Sequence, residues 1–485
     1  MYDVLIIGAG ITGLAIARRL SRYDLHICVL EKEPDVAMGA TKANSAIVHG
    51  GYAEDSHTLK GQLCYKGRVQ FARLDSELHF GFRQTGSLVL AAGPEDLPGL
   101  QALLENGKRN GLPDLEILSG DQIFAVEPNA SPQARYALYC RGAGVCSPYE
   151  MAIALAESAV ANGVRLFLNE EVTGITRQEG GFWVDTPAGR RRAAVVVNCG
   201  GLQSGHLAGM AGDAGFTIHP RSGQYILLAK GTGSLLGTVV FQMPTSMGKG
   251  ILVTPTYHGN LLIGPDALDQ EGADRSTDVR RLEAIYRQGL AAVPRLDITK
   301  FIRSFAGVRA VSSTGDFLVG AGAAPGFINV AGIQSPGLTS SPAIADRVAE
   351  LVAEAGLRLL PNPRYNPCRR PIIPPGQPLS ANEAMRLAAL PYGDERLVCR
   401  CEQVAQGVIL DSLLRGIPVT TVDGVKRRTR ASMGFCQGNF CRPRIKELLE
   451  REYGVPIDDR TDVQRAGVAR VGRQEFLDYL KSRQA

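Results

Sequence analysis

The first strong pattern is an uninterrupted apolar run, Val4 to Ile7, that ends in glycines. A stretch with apolar residues at helical spacing follows from Thr12 to Arg22. A second apolar run, Ile27 to Leu30, then ends at Glu31. Strand, helix and strand within 31 residues predict a βαβ unit. Further on, Ser147-Pro148-Tyr149-Glu150 opens a helix that runs through Val160 and stops at Gly163. Ser147 suits the N-cap, Pro148 the first helical position, and Glu150 a capping box. Arg165–Leu168 and Ala194–Val197 read as buried strands, with a hairpin turn at Gly180-Gly181 between them.

Residues 215–305 alternate differently. Tyr225–Leu228, Gly250–Val253 and Leu261–Gly264 read as strands and Thr277–Leu290 as a helix, which together predict a sheet inserted between pieces of the first domain. Phe317–Gly320 and Phe327–Val330 return to the strand pattern. A glycine-rich loop and a helix from about Ser341 to Ala355 follow. Residues 361–378 hold seven prolines, which block helix and central strand alike and predict a stiff linker. The segment 395–455 has cysteines at both ends, and the last thirty residues are expected to form a helical tail. No fixed-period repeat is present.

Composition narrows the class. With 45% apolar and 21% charged residues over 485 positions, the chain is an ordinary globular one of several domains. A net charge of +5 is too dilute for a nucleic-acid surface. The one dense basic run, Lys426, Arg427, Arg428 and Arg430, reads as a solvated face; its place between two cysteine pairs also allows docking or cluster tuning. No apolar stretch approaches transmembrane length, and the N-terminus starts directly on a strand without a secretory pattern. A cytoplasmic protein is expected, held peripherally at a membrane if a partner brings it there. Of ten cysteines, four gather near the C-terminus and six are scattered; the scattered ones, Cys28, Cys64, Cys140, Cys146, Cys199 and Cys368, read as small buried hydrophobes.

Gly8-Ala9-Gly10-Ile11-Thr12-Gly13 is G-x-G-x-x-G, placed between a strand and a helix, with Glu31 eighteen residues after Gly13. Gly8 permits the tight turn, Gly10 lets backbone approach a pyrophosphate, and Gly13 lets helix and strand pack closely. The pyrophosphate is expected at the positive end of the helix, and Glu31 on the ribose hydroxyls. The pattern alone does not choose between FAD and NAD.

The run Gly39 to Gly51, with Thr41, Asn44, Ser45, His49 and Gly50, resembles the second flavin-contacting segment of the D-amino-acid-oxidase superfamily. Asn198-Cys199-Gly200-Gly201 resembles that family's third contact. Ala331-Gly332-Ile333-Gln334-Ser335-Pro336-Gly337-Leu338-Thr339 resembles the fourth, a loop facing the flavin at a helix N-terminus. The resemblance covers residues 1 to about 355 and implies FAD, with Lys32 and Val172 added to the contacts at Gly8, Gly10, Ile11, Thr12, Gly13, Glu31, Gly200, Gly332, Ser335, Pro336, Gly337, Leu338 and Thr339. A histidine at position 49 would orient substrate, act as base, attach the cofactor, or hold a structural hydrogen bond.

Cys399-Arg400-Cys401 and Cys436 to Cys441 form C-x-C and C-x4-C, spacings unlike those of zinc ribbons. Val398 to Glu402 and Met433 to Gly438 resemble the bacterioferritin-associated ferredoxin family, which implies a 2Fe–2S cluster on Cys399, Cys401, Cys436 and Cys441. Zinc and an empty site are the alternatives.

A flavin fold joined to this cysteine domain resembles the A-subunit family of anaerobic glycerol-3-phosphate dehydrogenases. The implied fold is α/β: a Rossmann-like FAD-binding domain, an interleaved mixed-sheet substrate domain and a small C-terminal Fe–S domain. The FAD-binding parts are placed at about 1–80, 145–210 and 310–360, and the substrate parts at about 80–145 and 210–310. A linker at 361–394, the Fe–S domain at 395–455 and the tail at 456–485 follow. The implied activity is oxidation of a small anionic hydroxy substrate, glycerol 3-phosphate first, with electrons leaving through the cluster to a partner subunit or a quinone-linked complex. Ser304 to Arg309 resembles the segment bearing a substrate-anchoring arginine, so Arg309 is expected at the anion, and His49 and His258 are the expected bases. The loop Gly332–Leu338 lacks a lysine found in phosphate-specific members, and its Ser-Pro, with Tyr257 to Ala267, resembles the L-2-hydroxyglutarate dehydrogenase branch. That substrate, an amino acid or opine, and a non-enzymatic iron or redox-sensing role remain the alternatives.

Overall fold

The computed structural model describes residues 1–243, 250–372 and 396–483, with Met385 standing alone between the last two stretches. Its first sheet is built around strand Tyr2–Ile7. This strand pairs in parallel with Ile27–Leu30 on one side (Val4 with Ile27, Ile7 with Leu30) and with Gly189–Asn198 on the other (Val4 with Val195, Ile7 with Asn198). Arg165–Phe167 and Phe327–Ala331 extend the sheet outward, again in parallel. Parallel strands of this kind are covered on both faces, which explains why they read as continuous apolar runs rather than alternating ones. Val4 and Ile6 pack against helices Ile11–Leu20, Pro148–Ala161 and Gly337–Glu354. Leu5 and Ile7 pack on the opposite face with Val184, Phe182 and Leu207.

The second sheet has nine strands and draws them from both 87–140 and 218–312. Its spine is the antiparallel pair Ile218–Leu228 and Phe301–Ser312, which sets Arg221 opposite Arg309 and Tyr225 opposite Phe305. Helix Val279–Ala292 covers one face of this sheet. Strands Ile47–Val48, Phe82–Gln84 and Gly144–Cys146 form a small sheet of their own. The region 80–145, in which the sequence reading placed no elements, contributes five strands to these two sheets.

Helix Gly337–Glu354 starts four residues before the expected Ser341 and continues through Pro342. Proline cannot donate to the carbonyl one turn back. Ser341 Oγ donates to that carbonyl, Leu338 O, at 2.9 Å, so the turn survives. The capping box expected at Ser147 is not formed: Ser147 makes no side-chain cap, and the Glu150 carboxylate is engaged by His258 instead.

The cysteine domain has its own core of Val398, Ile409, Val419, Val425, Ile445 and Leu449. The expected tail is a strap on the second sheet. Helix Arg473–Ser482 buries Phe476 against Phe301, 5.4 Å between ring centroids, and Val471 N donates to Thr277 Oγ1. The described part of the proline segment is likewise fastened: Asn362 N donates to Arg22 O, and the buried Arg369 pairs with Glu157 at 2.7 Å. The rest of the expected linker lies outside the described residues. Cys368 is exposed, unlike the five other scattered cysteines. Among the described residues no helix is long and apolar enough to cross a membrane.

The basic run 426–430 is not a solvated face. Arg427, Arg428 and Arg430 are 5%, 9% and 6% exposed. Arg428 grips Asp35 with two bonds of 2.8 Å, and Arg427 adds a third at 2.8 Å. Arg427 and Lys42 converge on Asp462 at 2.6 and 2.9 Å, and Arg430 pairs with the buried Glu402 at 2.9 Å. The run therefore clamps the cysteine domain onto the flavin-type domain. Although burial alone would raise the Asp35 carboxyl, the two guanidiniums hold it far below the ordinary carboxylate range.

Removing one member of such a buried set costs about 3–5 kcal/mol. Asp35→Ala is expected to lower unfolding stability by roughly that amount in denaturant titration; an unchanged midpoint would contradict the clamp. Because the folded carboxyl is depressed, its contribution is complete above the unfolded pKa near 4 and fades as pH falls below it. The gap between the native protein and Asp35→Ala should thus narrow on acidification.

Candidate active site

One cavity of about 1650 Å³ runs from the glycine turn, past the long strand pair, to the underside of the cysteine domain. At its first end Gly8 has φ +103°, and a Cβ there would meet Cys199 O at 2.5 Å. A Cβ on Gly13 would meet Gly8 O at 2.1 Å, so this glycine serves helix packing and does not line the cavity. Gly10 is open on the cavity side, with only Thr41 Oγ1 at 3.5 Å from its notional Cβ. Helix Ile11–Leu20 has a glycine N-cap and no side-chain cap, so its first N–H groups are available to an anion; Ile11 N already donates to Thr41 Oγ1 at 3.0 Å. Glu31 takes Ala9 N at 2.7 Å and Glu33 N at 3.0 Å, and burial pushes its carboxyl up. It lines the cavity beside Lys32, and Val172 and Gly200 stand on the same wall.

The middle is shaped by two loops. Asn44 closes the first upon itself, donating to Thr41 O at 2.9 Å and accepting from Ala46 N at 2.8 Å. His49 N donates to Thr339 Oγ1 at 2.9 Å, and His49 Nε2 lies 3.5 Å from Ser335 Oγ, which ties this loop to Ser335-Pro336-Gly337-Leu338. Thr339, Gly50 and Gly332 stand behind the cavity wall: Thr339 is fully buried, a Cβ on Gly50 would meet Cys140 Sγ at 2.6 Å, and Gly332 turns the chain at φ +64°.

Across from His49, Tyr225 stacks on Phe305 at 4.7 Å and its hydroxyl lies 3.3 Å from Ser45 Oγ. Burial raises the Tyr225 phenol, and Arg309 opposes that rise. Arg309 Nη2 donates to a neutral carbonyl, Asp266 O, at 3.3 Å, while the Asp266 carboxylate is taken by Arg281 at 2.7 and 2.9 Å. Arg309 therefore presents positive charge to the chamber. Tyr225 was not singled out in the sequence, because it sits in an apolar run and reads as core; only its register opposite Phe305 reveals it. His258 also lines the cavity, but its Nε2 is held by Glu150 at 2.9 and 3.1 Å.

Within the cysteine domain, behind the far wall of the cavity, the four cysteines meet as two pairs. The Cys399 and Cys441 side chains hydrogen-bond one another, as do Cys401 and Cys436. The bond from Cys441, with backbone N–H groups, draws the Cys399 thiol down, and the same bond with burial pushes the Cys441 thiol up, so the pair holds one proton between them. Cys441 is the N-cap of helix Arg442–Tyr453, where the helix dipole favours negative charge. A Cβ on Gly434 would meet Cys401 Cβ at 2.3 Å, so glycine is required for the two cysteine segments to approach. Two thiol pairs suit a two-iron cluster better than a lone zinc, and the open glycine turn suits a dinucleotide.

A dinucleotide cradle, a cationic chamber beside it and paired thiols beyond define a flavoprotein oxidoreductase with its own iron–sulfur module. Comparison with known proteins agrees: the chain belongs to the FAD dependent oxidoreductase (DAO) family, whose model matches residues 3–351, and residues 397–451 match the BFD-like [2Fe-2S] binding domain. Its cofactors are accordingly FAD and a 2Fe–2S cluster. The chain is 43% identical over 461 residues to a glycerol 3-phosphate dehydrogenase of Caloramator mitchellensis, covering 95% of this chain and 96% of that protein. A glycerol 3-phosphate oxidase of Mycoplasma genitalium is 32% identical, over 75% of this chain and 98% of the oxidase. The solved, FAD-bound L-alpha-glycerophosphate oxidase of Mycoplasma pneumoniae superposes with a TM-score of 0.72 at 30% identity, over 76% of this chain and 98% of that one.

Gly8→Ala forces a side chain against the Cys199 carbonyl at positive φ. It is expected to yield protein that keeps its brown iron absorbance and loses at least nine-tenths of its yellow flavin; full flavin occupancy would refute the cradle.

Proposed function

We propose that this protein oxidises glycerol 3-phosphate with FAD and delivers the electrons through its 2Fe–2S cluster to an external acceptor. The observation that carries the reading is the single cavity on which the glycine turn, the Arg309 chamber and the cysteine domain all open. The relatives support the substrate and the electron exit. Glycerol 3-phosphate oxidases match about three quarters of the chain, whereas the relative matched over 95% of it is a dehydrogenase. When bound, FAD accepts two electrons at once and the cluster one at a time, so the pair divides a two-electron oxidation into single transfers.

The chain's own residues have distinct tasks. Arg309, freed from the Asp266 carboxylate by Arg281, grips the substrate phosphate through paired N–H groups. The Tyr225 hydroxyl, set by Ser45, narrows the chamber and adds a donor. His49 takes the proton from the substrate hydroxyl on its imidazole, with Ser335 steering the ring. His258, paired with the buried Glu150, positions the wall between chamber and cysteine domain and leaves the base role to His49. Ser335-Pro336-Gly337-Leu338, at the start of helix Gly337–Glu354, line the cavity and would present the positive end of the dipole to the flavin. A partner subunit or a quinone-linked complex receives the electrons.

Anaerobic mixing with glycerol 3-phosphate should bleach the flavin, and L-2-hydroxyglutarate, lactate, proline and opines should not; bleaching by L-2-hydroxyglutarate alone would transfer the assignment to that branch. Arg309→Ala is expected to raise KM for glycerol 3-phosphate at least tenfold, the loss of a charge-assisted bond of about 1.5–3 kcal/mol. An unchanged KM would remove Arg309 from the chamber. Cys436→Ser should leave substrate bleaching of the flavin intact while turnover with an artificial one-electron acceptor falls; equal loss of both would count against a relay.

A further inference from the structure

Beyond the Arg309 chamber the cavity continues beneath the cysteine domain, and there it is lined by cations from three separate parts of the chain. Lys426 comes from helix Val422–Thr429, Arg303 from strand Phe301–Ser312, and Arg470 from the segment that leads into the terminal strap. None of the three forms an ion pair with a carboxylate among the described residues. The two nearby acids are already engaged. Asp423 accepts from Arg442 Nη1 at 3.0 Å and from Asp462 N at 2.7 Å. Asp462 accepts from Arg427 at 2.6 Å, Lys42 at 2.9 Å and Arg465 at 2.6 Å. Arg303 has only a neutral acceptor, Gln437 Oε1, at 3.3 Å, and Arg470 Nε is buried with no hydrogen-bond partner.

The three cations act on one another. Lys426 is held well below its ordinary value by burial and then by Arg303. Arg470 is lowered to about 9 by the same two causes. All three are half-buried on the cavity wall, and Asp423 acts on each without forming an ion pair with it; cations so withdrawn from water ordinarily have closer partners. Three that converge on open space without one mark the seat of an anion. They do not open on the thiols: none of Cys399, Cys401, Cys436 and Cys441 lines the cavity that the three face. Nor do they share the anion held at Arg309. Arg303 and Arg309 lie six residues apart on one strand, about 20 Å between their backbones, and Arg303 turns to Gln437 of the cysteine domain whereas Arg309 turns to Asp266 O.

We propose that Lys426, Arg303 and Arg470 form a second anion site where the cysteine domain, the mixed-sheet domain and the C-terminal segment meet, and that it takes the phosphate group of a small molecule distinct from the one at Arg309. Two planar guanidiniums and a compact ammonium match a tetrahedral dianion, which accepts from all three at once. Occupation binds three parts of the chain together and so stabilises the closed assembly.

Calorimetric titration of holoenzyme with inorganic phosphate, at ionic strength held constant with chloride, tests this without reading turnover. Failure of the glycerol 3-phosphate assignment would therefore leave the result interpretable. In Arg309→Ala, which lacks the first anchor, one phosphate per chain should still bind, and saturation should raise the melting midpoint by roughly 2–4 °C. Adding Lys426→Ala or Arg470→Gln should weaken that binding at least tenfold, with flavin and iron absorbance retained, and Lys426→Arg should restore it. No phosphate bound by Arg309→Ala, or binding indifferent to Lys426 and Arg470, would overturn the site. So would Lys426→Ala shifting only the cluster's absorbance or potential.

Discussion

The architecture depends on one carboxylate kept out of water between two guanidiniums. Asp35 is 2% exposed and meets Arg427 and Arg428 across the boundary between the nucleotide-binding sheet and the cysteine domain. Charges desolvated to this degree persist only when their geometry is nearly complete. A small displacement of the cysteine domain would therefore leave several charges buried and unmatched. Arg430, paired with Glu402 inside the cysteine domain, reaches across the boundary to Tyr149 OH and Asn260 Oδ1, and Asp462 extends the clamp to Lys42 on the flavin side. The roof of the cavity is thereby held in register with its floor.

That register is what gives the chamber chemical sense. The glycine turn brings backbone N–H groups to one end of the cavity, and the long antiparallel pair holds Arg309 and Tyr225 in the middle. Residues of the cysteine domain, among them Lys426, Arg430, Met433 and Gln437, close the far side. Each element is ordinary alone. Joined by the clamp, they put a two-electron oxidation and a one-electron outlet within one folded unit.

How much of this the sequence disclosed follows from where the information lies. The βαβ unit, the glycine turn and the cysteine spacing are local patterns whose physics acts within some forty residues, and they were legible. The strap was not, because only the fit of Phe476 against Phe301 defines it. The basic run read as a solvated face because its partner Asp35 lies 392 positions from Arg427 and carries no local signature of the pairing. Glu150 read as a helix cap because Ser-Pro-x-Glu favours one, yet a histidine 108 residues away took the carboxylate. Of the expected cofactor residues, Gly13 packs helix on strand as its place in the motif requires, and Gly50, Gly332 and Thr339 lie outside the lining of this cavity, Thr339 fastening the His49 loop through its hydroxyl.

One chain holds both redox centres in fixed relation. Rapid anaerobic mixing with glycerol 3-phosphate, followed separately at flavin and iron–sulfur wavelengths over a tenfold range of protein concentration, tests it most directly. Flavin bleaching should be followed by cluster reduction at a rate independent of protein concentration. Cluster reduction that scales with protein concentration, or that never follows the flavin, would contradict it.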